Sequence, residues 1–295
     1  ARIRIGDTVH EAVILSGGYD DGQDNRGWHE DSTGNALYFL DLLSGQKLWS
    51  AGPPGGGHDL ALPAMRHSIP ATPRVIDLSR DGLADRIYVG DVGGRVWRFD
   101  IQNGQPRSSL VAGGVLASLG GAAVANPPAS ELRRFYATPD LVLVDCIRGN
   151  FLAINIGSGY RGHPLDTDVA DQFFSIRDPQ PYGSMATASY GEPIRIGDLL
   201  DITDDPTATV PADAAGWRLR LEQEPGEKVL TAAATYRNTL YFTSFAPGAA
   251  VNACVGGLGV NRAYAVDACS GRPLTNLDGG LVGDPPGVED RFQVL

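Results

Sequence analysis

The chain has 295 residues, 42% of them hydrophobic and 20% charged, which is enough to bury one large all-β core or two ordinary ones. Its formal net charge of -11 repels phosphate backbones and anionic lipid surfaces, so nucleic acid and bilayer binding have no electrostatic footprint. No apolar run reaches the ~18 residues of a membrane-spanning helix, and 38 Gly with 20 Pro in no collagen period predict a chain of many short strands and turns.

In chain order, apolar or period-2 runs predict strands at Glu11 to Ser16 and Ala36 to Asp41, then at Arg74 to Ile76, Arg86 to Asp91 and Arg95 to Asp100. Leu141 to Val144 reads as a buried strand beside Cys146. Further runs follow at Phe151 to Ile156, Phe173 to Ile176, Trp217 to Leu221, Thr239 to Ser244 and Arg262 to Asp267. Gly, Pro, Asn, Asp or Ser bounds each of them. No linker or low-complexity stretch marks a boundary, so residues 1–295 are expected to form a single domain. Residue 1 is not Met, which fits a processed piece of a longer exported protein whose signal lies upstream.

The most informative local pattern is Asp77-Leu-Ser-Arg-Asp-Gly-Leu-Ala-Asp85, with oxygen-bearing side chains at loop positions 1, 3, 5 and 9 and glycine at position 6. Ca²⁺ is a hard cation that takes six to eight oxygens. The spacing offers Asp77, Ser79, Asp81, the carbonyl of Leu83 and Asp85. An EF-hand closes its shell with Glu at position 12, but Tyr88 stands there, inside a strand, so the expectation is an EF-hand-like calcium loop between strands. The alternative is an Asp- and Gly-rich turn whose side chains bond only their own backbone. Asp201, Asp204 and Asp205 lack the loop glycine and run into Pro206, and read as a solvated acidic loop rather than a second cation site.

A repeat links three segments: Asp41 to Gly45, Asp100 to Gly104 and Asp267 to Gly271 each follow an apolar strand and read Asp, two residues, Ser or Asn, then Gly. The glycine supplies a positive φ and the Asp can accept turn amides. One such hairpin per repeat suggests the radial blades of a β-propeller, and shared hairpin chemistry alone is the alternative. Three cysteines show no CxxC pair. The spacing of Cys254 and Cys269 allows a bridge closing about 15 residues, and Cys146 is then left as a buried free thiol. Five histidines show no metal-ligand spacing. Gly157-Ser-Gly-Tyr-Arg-Gly162 satisfies G-x-G-x-x-G, yet it continues into a His-Pro turn rather than a helix, so no nucleotide site is expected.

Phe39 to Trp49 resembles the tryptophan-docking repeat of quinoprotein propellers, with Ser44 for Thr, Phe39 for Ala and Gln46 for Lys. The other two copies lack the Trp, which points to a modified, irregular propeller. Ser68 to Asp100, calcium loop included, resembles the C-terminal β-propeller of the PilY/PilC family. Gly17 to Asp20, Gly34 to Tyr38, Ile156 to Arg161, Gly226 to Leu230 and Leu240 to Thr243 look like blocks of that family in family order. The resemblance implies an all-β, calcium-binding module of type IV pilus biogenesis and tip adhesion. It implies pilins as partners, a host or abiotic surface as a possible target, and a place in the periplasm, at the outer membrane or at the pilus tip. The chain is shorter than the family's C-terminal propeller. It is not expected to be an enzyme: a quinoprotein-like dehydrogenase would bring a vicinal cysteine pair, and no two cysteines are adjacent. An envelope scaffold propeller is the third reading.

Overall fold

The computed structural model describes residues 1–121, 126–146, 149–183, 190, 192–248, 259–274 and 287–295. Its contacts group into two compact units. The first comprises Ala1–Pro127, Arg134–Thr138 and Gln180–Ile194, and the second Pro128–Arg133, Pro139–Pro179 and Arg195–Leu295. Among the described residues the only helical segments are short 3-10 turns, so the chain is all-β.

In the first unit, β1 (Arg2–Ile5), β2 (Thr8–Ser16), β3 (Leu37–Asp41), β4 (Lys47–Gly52) and β5 (Leu60–Ala61) form one sheet in sequence order. All pair antiparallel except the short β5. A second sheet runs through β6 (Arg74–Ile76), β7 (Arg86–Gly90), β8 (Arg95–Ile101) and β9 (Val111–Ser118). One core joins these sheets, with Ile3, Phe39 and Trp49 from the first packed in a cluster with Ile87, Trp97 and Phe99 from the second. Every residue of β7 is buried, as a strand covered on both faces requires.

In the second unit, β10 (Asp140–Cys146), β11 (Gly149–Gly157), β12 (Gln172–Arg177), β14 (Leu200–Asp201) and β15 (Gly216–Arg220) make a sheet of order β10-β11-β12-β15-β14. The short β13 (Ile194–Arg195) precedes β14 in the chain. A last sheet follows in sequence order: β16 (Ala234–Tyr236), β17 (Thr239–Ala246), β18 (Val260–Asp267) and β19 (Phe292–Val294). Along β17 buried residues alternate with more open ones, the period-2 pattern of a half-covered sheet. A column of rings crosses this core: Phe173 lies 3.9 Å from Phe242, which lies 4.4 Å from Tyr264, which lies 5.2 Å from Phe292. Such pairs add about 0.5–1.5 kcal/mol each beyond their burial.

Every strand expected from the sequence is present, its ends within three residues of those expected, but of Leu141 to Val144, expected to be buried, only Val144 is. The cysteine expectation is corrected. Cys146 at the end of β10 is bonded to Cys269 in the turn after β18, with Cα atoms 5.9 Å apart. Cys269 is therefore not available to Cys254, which lies outside the described residues, and Cys146 is not a free thiol. Sequence spacing favoured the near pair, whereas strand pairing brings together residues 123 apart.

Two of the three repeated turns are alike in atomic detail. In the first, Asp41 Oδ1 accepts from the amides of Leu43 (3.2 Å) and Ser44 (2.9 Å) and from Ser44 Oγ (2.8 Å), while Gly45 takes φ +70°. In the last, Asp267 Oδ1 accepts from Cys269 (3.1 Å), Ser270 (2.9 Å) and Ser270 Oγ (2.7 Å), with Gly271 at φ +68°. Asp100 departs. Its carboxylate is buried and meets Arg86 at 3.2 Å, Arg98 at 2.9 Å and the Tyr190 hydroxyl at 2.5 Å, because opposite it stand cations rather than a turn.

Candidate metal-binding loop

The loop from Asp77 to Asp85 closes the hairpin of β6 and β7, whose register pairs Ile76 with Arg86. Its conformation follows from its carboxylates. Asp77 Oδ1 accepts the Arg80 amide at 2.6 Å and its Oδ2 the Gly82 amide at 2.9 Å. Asp85 Oδ2 accepts the amides of Leu78 and Ser79, both at 2.7 Å, and Asp81 Oδ1 that of Leu83 at 2.9 Å. Ser79 Oγ donates to Asp77 Oδ1 at 3.3 Å. Arg80 and Gly82 sit at φ +61° and +86°, and at the second of these only glycine is comfortable. Leu83 and Ala84 are buried and pin the loop to the core, while the Ala84 amide donates to the Arg2 carbonyl at 2.8 Å.

All five residues expected as ligands therefore lie on one tight turn. Their chemistry, three carboxylates and a hydroxyl with the Leu83 carbonyl beside them, suits a hard cation. Asp81 Oδ2 and Asp85 Oδ1 accept no hydrogen bond among the described residues. The remaining carboxylate oxygens are turned to backbone amides. Among the described residues no group of three or more His, Cys, Asp or Glu side chains is gathered closely enough to hold a metal ion. The other acidic stretch is paired with cations: Asp201 meets Arg218 at 2.9 Å and Arg220 at 3.1 Å, and Asp204 meets Arg220 at 2.5 Å.

Sequence reasoning missed two organising residues. Asp20 gathers the amides of Gly22 (2.9 Å), Ser32 (2.9 Å) and Thr33 (3.0 Å) on one carboxylate. The Gly22 and Thr33 amides foremost hold its pKa down to about 2. A lone Asp after Gly-Tyr carries no periodic signal for this. Trp217 of β15 covers the last repeated turn, its Nε1 donating to the Ala268 carbonyl at 3.4 Å. A Cβ on Gly271 would stand 3.3 Å from the indole. The tryptophan over that turn thus comes from another sheet, where comparison within the repeat could not find it. At Gly159 a Cβ would collide with the Val229 carbonyl, and a turn from Tyr160 to His163 follows rather than a helix. Gly157 and Gly159 of the G-x-G-x-x-G stretch serve close packing against Val229 here.

The chain is 27% identical over 192 residues, 59% of its length, to the type IV pilus biogenesis factor PilY1 of Pseudomonas aeruginosa strain PAO1. Against PilY1 of strain UCBPP-PA14 it is 25% identical over 251 residues, 68% of the chain. The crystal structure of the P. aeruginosa PilY1 C-terminal domain superposes with a TM-score of 0.61 at 19% identity, over 94% of this chain and 59% of that one. In sequence the chain is similar to PilY1, and in fold to the PilY1 C-terminal domain. It spans 15% of the length of the PAO1 PilY1 and 21% of that from UCBPP-PA14. No family model matches it. The similarity to PilY1 agrees with the family resemblance read from Ser68 to Asp100, and with an all-β architecture of four- and five-stranded sheets.

Proposed function

We propose that this chain is a non-enzymatic, calcium-binding module of type IV pilus biogenesis, exported and acting at the pilus tip in assembly, twitching and surface attachment. The observation that carries the reading is the sequence match to PilY1, a protein named as a type IV pilus biogenesis factor. Four small sheets, two of them in strict sequence order, and two Asp-x-x-Ser-Gly turns with the same hydrogen bonds support a modified β-propeller. The Cys146–Cys269 bridge supports maturation in an oxidising compartment, where structural disulfides persist. Pilins are the partners this reading implies, with a host or abiotic surface beyond them.

Calcium is assigned to the loop of Asp77, Ser79, Asp81, Leu83 and Asp85. In this reading the cation draws carboxylate oxygens from the amides they now hold, so binding and loop conformation are linked. Three carboxylates and no position-12 Glu set an affinity on the order of 10⁻⁶ to 10⁻³ M. Calcium titration calorimetry of the wild type, Asp81→Ala and Asp85→Ala tests it: both variants should lose measurable heat. Equal affinity in all three proteins refutes the site. Cells carrying Asp85→Ala in the full-length protein should export it and yet assemble fewer surface pili or twitch less. Normal piliation and twitching, with calcium binding lost, would separate the metal from pilus function.

A further inference from the structure

The Cys146–Cys269 bridge lines a cavity of about 380 Å³ in the second unit, together with Arg177, Arg272, Asn238, Asp145 and Asp267. That volume lies in the range of small-molecule sites. Its two guanidinium groups are held in place by neutral partners. Arg177, only 8% exposed, donates through Nη1 to the carbonyls of Pro211 (2.5 Å) and Ala214 (3.4 Å) and lies 4.1 Å over the Phe151 ring. Arg272 donates through Nε to the Ala208 carbonyl at 2.7 Å and through Nη2 to Thr209 Oγ1 at 2.5 Å and to the Thr207 carbonyl.

A buried charge is ordinarily paired with its opposite; among the described residues the buried Arg177 has no such partner, and neither has the half-buried Arg272. Among the described residues neither arginine forms an ion pair, and burial alone pushes the Arg177 pKa down. The carboxylates nearby are engaged or solvated. Asp267 Oδ1 takes the Cys269 and Ser270 amides and its Oδ2 the Asn238 amide at 3.4 Å. Asp205, which feels the charge of Arg272, is held by Thr207 through its amide (2.8 Å) and hydroxyl (2.7 Å). Asp145 is exposed. The Nε and Nη2 of Arg177 and the Nη1 of Arg272 have no acceptor among the described residues, and none of them is sealed from solvent.

We propose that this cavity is a carboxylate-binding site in which Arg177 and Arg272 supply the counter-charge through planar, two-point hydrogen bonds. The stacking on Phe151 and the carbonyl contacts orient the donors before the ligand arrives, which lowers the ordering cost of binding. The ligand is a free dicarboxylate or an acidic side chain of a peptide, two sources of one chemistry. Asp145 opposes it from the rim and sets its affinity.

Calorimetry with succinate, with a capped glycine–aspartate peptide and with uncharged succinamide tests the site on the intact, oxidised chain. At least one of the two acids should bind, and succinamide should not. The tighter of the two identifies the source. Arg272→Gln should weaken binding about tenfold, the scale of one lost charge-assisted pair, with Arg272→Lys intermediate because it keeps the charge without the fork. Asp145→Asn, at an exposed position, should tighten binding severalfold, an effect that arginines with a purely structural role would not produce. Binding of succinamide as strong as that of the acids, no binding by either acid, or affinities unchanged in both Arg272→Gln and Asp145→Asn would overturn the proposal.

Discussion

Replacing Cys146 by Ser removes a cross-link between residues 123 apart in sequence. In the chain-entropy account the unfolded ensemble then regains about 2.1 + 1.5R ln n cal/mol/K, which for this loop is about 4.9 kcal/mol at 25 °C. The folded state changes less, since β10 remains paired with β11 over the full register from Asp140↔Asn155 to Cys146↔Gly149. Urea unfolding followed by circular dichroism reads the difference. With a slope of about 2 kcal/mol/M, the midpoint of the transition reporting the second unit should fall by roughly 2.5 M, and reduced wild type should behave like the variant. Cys254→Ser should leave the midpoint where it was, and thiol titration of the unfolded, unreduced chain should find one reactive cysteine. A Cys146→Ser protein with an unshifted midpoint, or three titratable thiols in material from an oxidising compartment, would refute the tertiary pairing and its entropic weight.

Other perturbations separate local from tertiary contributions. Asp20→Asn should lower stability by about 1–2 kcal/mol at neutral pH by weakening a charge-assisted cluster of amide bonds. Because folding depresses the Asp20 pKa from its ordinary 3.8 to about 2, the wild-type advantage is full above about pH 4 and fades as the pH falls toward 2. Paired denaturation curves at neutral and acidic pH measure it, and a gap constant with pH would contradict the assignment. Trp217→Ala empties a fully buried site under the last repeated turn and should cost about 3–5 kcal/mol by thermal unfolding. A cost below about 1 kcal/mol would mean the indole does not hold that turn.

The sequence alone determined the strands, because apolar alternation bounded by Gly, Pro and Asp is a local signal. The runs at Arg74 to Ile76 and Thr239 to Ser244 illustrate it. It also carried the conformation of the calcium-loop candidate, since Asp77, Asp81 and Asp85 bond amides no more than seven residues away. The similarity to PilY1 was legible for the same reason, in contiguous blocks. What tertiary structure decided was pairing across distance. Cys146 rather than Cys254 reaches Cys269 because β10 ends beside the turn after β18, and loop length says nothing of that. Asp100 shares its sequence pattern with Asp41 and Asp267, with Asn103 in place of Ser, but faces Arg86 and Arg98, so a similar local pattern adopts a different role. The cavity of Arg177 and Arg272 joins residues 95 positions apart, an arrangement set by which strands pack together and carried by no periodicity in the chain.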